Sequence, residues 1–191
     1  MPREAGDRYA KLGTLARGID RFSETTGRLV SWMTLGTVLV TFAVVVLRYV
    51  FNSGSIALQE FISYLHTSVF MLGAAYTLKH DGHVRVDIIY RDLGPRAKAW
   101  INLCGTLLML MPVCAFILYV SWEYVAVSWS MSEGSQESGG LDAVFLLKTV
   151  IPMMAILLLL QGLSMVLHSI LVLLGQQAET DTAGTGPDRE L

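Results

Sequence analysis

The chain has 191 residues, of which 53% are hydrophobic and only 16% charged, with a formal net charge of −2. A soluble domain is typically about 45–50% apolar and about 25% charged, and the mean hydropathy here is +0.51. Those values argue against a soluble enzyme and a disordered chain, the absent basic surplus excludes a nucleic-acid binder, and two cysteines exclude a disulfide scaffold. A single small integral membrane domain, residues 1–191, remains.

The first 28 residues carry ten charges and no apolar run. No separate signal peptide is expected, and the first span should stay as an anchor. Within residues 11–28, Leu12, Leu15, Ala16, Ile19 and Phe22 recur at helical spacing, while Lys11, Arg17, Arg21 and Arg28 take other positions. This predicts a short amphipathic helix along the cytoplasmic surface, held by anionic lipid or by a partner, before the chain turns into the first span.

A membrane helix needs about 20 mostly apolar residues to cross a hydrocarbon core about 30 Å thick. Four windows free of Asp, Glu, Lys and Arg are long enough: 29–47, 61–78, 99–122 and 149–174. They are apolar all round, unlike the one-sided helices of a soluble bundle. Extended to their flanking signals, they predict an all-α membrane protein with transmembrane helices over 29–51, 60–79, 98–130 and 142–175. The third continues outward past the bilayer. The fourth contains Pro152, which predicts a kink.

Lys and Arg fix the expected orientation. With both termini inside, twelve basic residues lie on the cytoplasmic side and two, Arg48 and Lys148, on the outer side. Aromatic residues at both ends of the spans, among them Trp32, Trp100, Trp122 and Trp129, match interfacial belts.

The first outer loop, about 52–58, begins with the turn-prone Asn52-Ser53-Gly54-Ser55. Gln59 and Glu60 follow at the mouth of the second span, where a carboxylate serves either the helix dipole or a subunit contact. In the cytoplasmic loop, 80–97, Gly82 suits a helix C-cap. His83, Arg85 and Asp87 then alternate with Val84, Val86 and Ile88, suggesting an extended stretch with one polar face for a subunit or headgroup. His80, Asp81, His83 and Asp87 lack the ligand spacing of a metal site. The outer loop over 131–141 is acidic and rich in Ser and Gly, so it should be exposed and mobile. Asp142 is placed to cap the fourth helix, with Lys148 snorkelling to the interface. The tail over 176–191 reads as disordered and cytoplasmic.

Polar groups inside spans are candidates for function, and they are few: His66, Gln161 and His168. His66 lies roughly 9 Å into its window and His168 roughly 28 Å into its own, with both helices running the same way. They cannot share a haem iron. His66 is expected to bond a neighbouring helix, and His168 to sit near the inner interface. Cys104 and Cys114 lie roughly 15 Å apart along one helix, too far for a disulfide. The apolar windows 29–47, 61–78, 99–122 and 149–174 contain no carboxylate or basic residue, so an ion-coupled transport site is not expected in this chain alone. No nucleophile elbow, phosphate loop or metalloprotease helix occurs, and neither a catalytic residue nor a cofactor or metal site is expected. A membrane-anchor subunit of a redox complex, binding haem or quinone, is the competing reading.

Several motifs in order are familiar: Arg48-Tyr49-Val50-Phe51-Asn52, Gln59-Glu60, Gly73-Ala74-Ala75-Tyr76-Thr77-Leu78, His83-Val84-Arg85-Val86-Asp87, Gly139-Gly140-Leu141, Ile151-Pro152 and Leu160-Gln161-Gly162. Together, over roughly residues 10 to 175, they resemble the DctQ-type small membrane subunit of TRAP (tripartite ATP-independent periplasmic) transporters. The chain departs from many members in lacking a Trp near Ala57 and in having Gln59-Glu60 in place of two acids. The resemblance implies a non-catalytic scaffold in the bacterial inner membrane. Its partners would be a large permease subunit holding the sodium and substrate sites, a periplasmic binding protein delivering an organic acid, and membrane lipid. It implies interface or architectural roles for Arg48, Asn52, Gln59, Glu60, His83, Arg85 and Asp87. Which substrate is carried is not written in this chain.

Overall fold

A computed structural model describes residues 2–83, 90 and 92–175. Among the described residues the chain is entirely helical. Four helices are long and apolar enough to cross a membrane: α1 (Pro2–Tyr49), α2 (Ile56–Lys79), α3 (Pro95–Ser130) and α4 (Val144–Leu173). This is the all-α integral membrane fold expected from the charge-free windows.

The expected turn between the amphipathic segment and the first span is absent. α1 runs unbroken for 48 residues, about 72 Å by helical rise. The reason lies in which face it buries. Gly13, Ala16, Ser23, Gly27 and Val30 are buried and Asp20 is partly covered, a stripe spaced 3, 4, 3, 4, 3. The stripe passes through the position of the supposed turn without changing phase, so a straight helix keeps all of it against its neighbours. Thr25 and Thr26 also bond back to the carbonyls of Arg21 and Phe22.

At Gly27 the helices close tightly. A Cβ there would lie 2.7 Å from Tyr76 Cβ on α2 and nearer still to the ring. Only glycine permits that approach.

α2 begins at Ser55, whose hydroxyl accepts the Leu58 N–H at 3.4 Å. Its end corrects the reading of Gly82. Asp81 takes the left-handed conformation (φ 52) and donates to the Leu78 carbonyl, while Gly82 donates to Thr77 at 2.9 Å. Those two bonds make a Schellman motif with Asp81 at the αL position, so Gly82 stands one residue beyond the cap. α3 ends in the same way before reaching any glycine. Ser132 (φ 48) donates to Trp129, and Glu133 donates to Ser128.

α3 contains a π-helical turn at Thr106–Leu110, separated from Pro112 by Met111 alone. A proline lacks an N–H and presses on the carbonyl four residues earlier. The wider π turn relieves that conflict, with Met111 N–H reaching back to Thr106. Gly162 of α4 faces this turn, where an added Cβ would meet Leu110 at 3.0 Å.

α4 is the hub. In its most apolar window 44% of residues are buried, against 6–11% in the other three helices. The helix continues through Pro152. Asp142 does not cap it: the cap residue is Ala143, without a side-chain bond, and the Phe145 N–H goes to the Glu133 carbonyl at 3.4 Å.

Candidate functional site

The described polar chemistry gathers at the two ends of the bundle. At the end where α1 stops and α4 starts, the loop after α3 is clasped by two carboxylates. Glu60, one turn into α2, accepts from the Ser135 hydroxyl and from the Leu141 backbone N–H at 2.7 Å. The loop also closes on itself. Ser135 N–H donates to the Leu141 carbonyl at 2.9 Å, and Gly140 N–H to Glu137 at 3.0 Å. Gly139 is left-handed (φ 85), and at Gly140 a Cβ would lie 2.7 Å from Glu60 Oε2. The Gly139-Gly140-Leu141 motif therefore has a physical purpose: it brings a backbone donor onto the Glu60 carboxylate.

Glu133 makes the second grip. It accepts from Ser128 at 2.6 Å and pairs with Lys148 of α4. Lys148 also stands 4.1 Å over the Tyr124 ring, a cation–π contact. Its ammonium thus reaches from the first turns of α4 to the loop beyond α3. The Lys148 hydrogen bond, then the Ser128 one, hold the Glu133 carboxyl below its usual range. Trp129 donates to Thr149 at 2.8 Å and meets Phe145 edge-on. The loop expected to be mobile is thus tied at both ends and across its middle.

At the opposite end, α1 is joined to α4 by a network centred on Asp20. Its Oδ1 accepts from Ser164 at 2.7 Å and from Gln161 at 3.1 Å, and its Oδ2 lies 2.9 Å from His168 Nε2. Ser23 donates to Gln161 Oε1 at 2.6 Å. Gln161, Ser164 and His168 stand at i, i+3 and i+7, one face of α4. Beside this network Glu24 receives Lys79 of α2 at 2.6 Å and Arg28 at 3.2 Å.

Of the residues singled out from the sequence, Glu60 occupies the centre of a cluster. Its partners lie within this chain, and neither the helix dipole nor another subunit is needed to hold it. Asn52 is exposed and left-handed (φ 49), and Ser53 N–H closes the end of α1 on Leu47. Arg48, Gln59 and His83 are exposed, and the structure does not bring them together. Arg85 and Asp87 lie outside the described residues. His66 is exposed and bonds no neighbouring helix among the described residues, contrary to expectation. His168 is held by Asp20, and Cys104 and Cys114 are unpaired.

Asp20, Ser23 and Glu133 were missed. The signal for Asp20 was present: an acid on the same stripe as Ala16, Ser23 and Gly27 must meet donors on a facing helix.

The model of the DctQ component of tripartite ATP-independent periplasmic transporters matches residues 37–172. The chain belongs to the DctQ family. A relative from Haemophilus influenzae, named "Putative TRAP transporter small permease protein", is 34% identical over 93 residues. That match covers 49% of this chain and 56% of the relative, so the chain spans just over half of that protein's length. No solved structure matches significantly. In this DctQ chain the matched stretch takes in α2, α3 and nearly all of α4, including both carboxylates of the clasp. Asp20 and most of α1, up to residue 36, lie before it.

Proposed function

We propose that this chain is the small permease subunit of a sodium-coupled, binding-protein-dependent TRAP transporter that imports an organic acid across the bacterial inner membrane, with both termini cytoplasmic. It acts as a non-catalytic scaffold. The large permease subunit holds the sodium and substrate, and the periplasmic binding protein docks partly on the clasped loop. The observation that carries this reading is the grip of Glu60 on Ser135 and Leu141. It gives the loop between α3 and α4 one defined shape, which a docking surface needs. Large apolar side chains such as Leu39, Phe42, Phe116 and Tyr119 are exposed along α1 and α3 and suit contact with lipid and a larger membrane partner.

Arg48, Asn52, Gln59, Glu60, His83, Arg85 and Asp87 are assigned to subunit-interface or architectural roles on the strength of the family resemblance. The test is purification at native expression with a tag on this chain. A stable complex with a much larger membrane protein is expected. Recovery of this chain alone overturns the proposal. Reversing the charge of Arg85 or Asp87 should lower complex yield and transport together, and transport lost at unchanged yield refutes their assembly role.

A further inference from the structure

We propose that α1 carries a headgroup site for an anionic phospholipid, built on Arg21 and Arg28. The proposal uses the membrane character of the chain and does not depend on the transporter reading.

Arg21, Thr25, Arg28 and Trp32 lie within about 60° of one another around the helix, since each residue turns it by about 100°. With Glu24 and Leu29 they line an open cleft of about 340 Å³. The charge balance of the cleft is positive. Glu24 is already met by Lys79 of α2 at 2.6 Å, which leaves two guanidinium groups in excess. Arg28 touches Glu24 only through Nε, and its side chain is 76% exposed. Arg21 is exposed and has no partner among the described residues. The Thr25 hydroxyl spends its proton on the Arg21 carbonyl at 3.0 Å, so the arginines are the donors of the cleft.

Two planar forks that prefer bidentate oxygen acceptors suit a phosphodiester. Along the helix toward the apolar span come Leu29 and Trp32, 66% and 71% exposed. Charge followed by indole and alkyl surface is the order in which a phospholipid presents phosphate, glycerol and chain. A soluble anion would use the arginines and leave Leu29 and Trp32 bare. An acidic protein segment would not require that polar-to-apolar order.

The test uses the full chain in mild detergent and reads its thermal midpoint with added phosphatidylglycerol, phosphatidylcholine or inorganic phosphate. Phosphatidylglycerol should raise the midpoint more than phosphatidylcholine, and phosphate should not raise it. The double variant R21Q/R28Q should lose at least half of the phosphatidylglycerol increment and keep the phosphatidylcholine one. R48Q, at the other end of α1, should keep both. Native mass spectra should show at least a fivefold fall in retained phosphatidylglycerol for the double variant. If that variant does not fold, R21Q and R28Q are measured singly and each should reduce the increment. Equal increments from the two lipids, an unchanged increment in the variants, or stabilisation by phosphate alone overturns the proposal. So does loss of the phosphatidylglycerol effect when a protein partner covers the two arginines.

Discussion

Replacing Gly27 by alanine sets two effects of opposite sign against each other. In a helix interior the change favours the helix by about 1 kcal/mol. The new methyl, however, would stand 2.7 Å from Tyr76 Cβ, where carbon atoms normally keep about 3.5–4.0 Å. The overlap is about 1 Å. Cβ is fixed to the α2 backbone, so no rotation of the ring removes it, and α1 and α2 must part. Overpacking of this kind costs about 1–3 kcal/mol, which equals or exceeds the propensity gain. Gly18 is the control on the same helix, because a Cβ there meets nothing within 4 Å. Gly18→Ala should therefore be neutral or stabilising by up to about 1 kcal/mol, and Gly27→Ala less stable than Gly18→Ala, with a net loss of up to about 2 kcal/mol. Reversible unfolding in mixed micelles, followed by circular dichroism, measures both. Adding Tyr76→Gly, which removes that Cβ, to Gly27→Ala should cost less than the sum of the single changes. Equal stability of the two alanine variants would refute the close α1–α2 approach.

Three further outcomes are expected. Glu60→Ala should raise amide exchange at Ser135 and Leu141 by at least tenfold, with Glu60→Gln intermediate because it keeps one acceptor oxygen; unchanged exchange would mean that the loop holds itself. Asp20→Ala strands the Gln161 and His168 donors at about 1–3 kcal/mol for each that stays buried, whereas Asp20→Asn keeps the Oδ1 acceptor and should cost less; chemical unfolding of both variants checks the order, and equal losses would refute the network. The Glu133 carboxyl is lowered in the folded chain, so its contribution is present above the ordinary value of 4.5 and is lost as the pH falls through the lower folded value. Trp129 emission should accordingly stay constant from neutral pH to about 5 and change only at more acid pH, and that acid step should vanish in Glu133→Gln.

The membrane class, the four apolar helices and the ends at which charge collects are legible in the residues alone. Burying charge in hydrocarbon is so costly that long charge-free windows have one reading. The motif order also pointed to the DctQ family, because Gln59-Glu60 and Gly139-Gly140-Leu141 have a fixed order that composition alone does not. Which polar groups meet depends on how the helices pack. Glu60 and Leu141 are 81 positions apart, and Asp20 and His168 are 148 apart. Hydrophobic periodicity reports that a face is buried, not which helix lies against it. The same limit explains the missing turn in α1: the amphipathic segment was read correctly as a helix, but its stripe continues in phase onto α2 and α4, and only their positions made straightness favourable. The cap at Asp81 was hidden because Gly82, beside it, is the residue that propensity favours. The low charge that first excluded a soluble protein thus also sets the structure's economy. Asp20, Glu24, Lys79, Glu133 and Lys148 find partners at the two ends of the bundle, whereas Arg21 stays exposed and Arg28 gives Glu24 only its Nε.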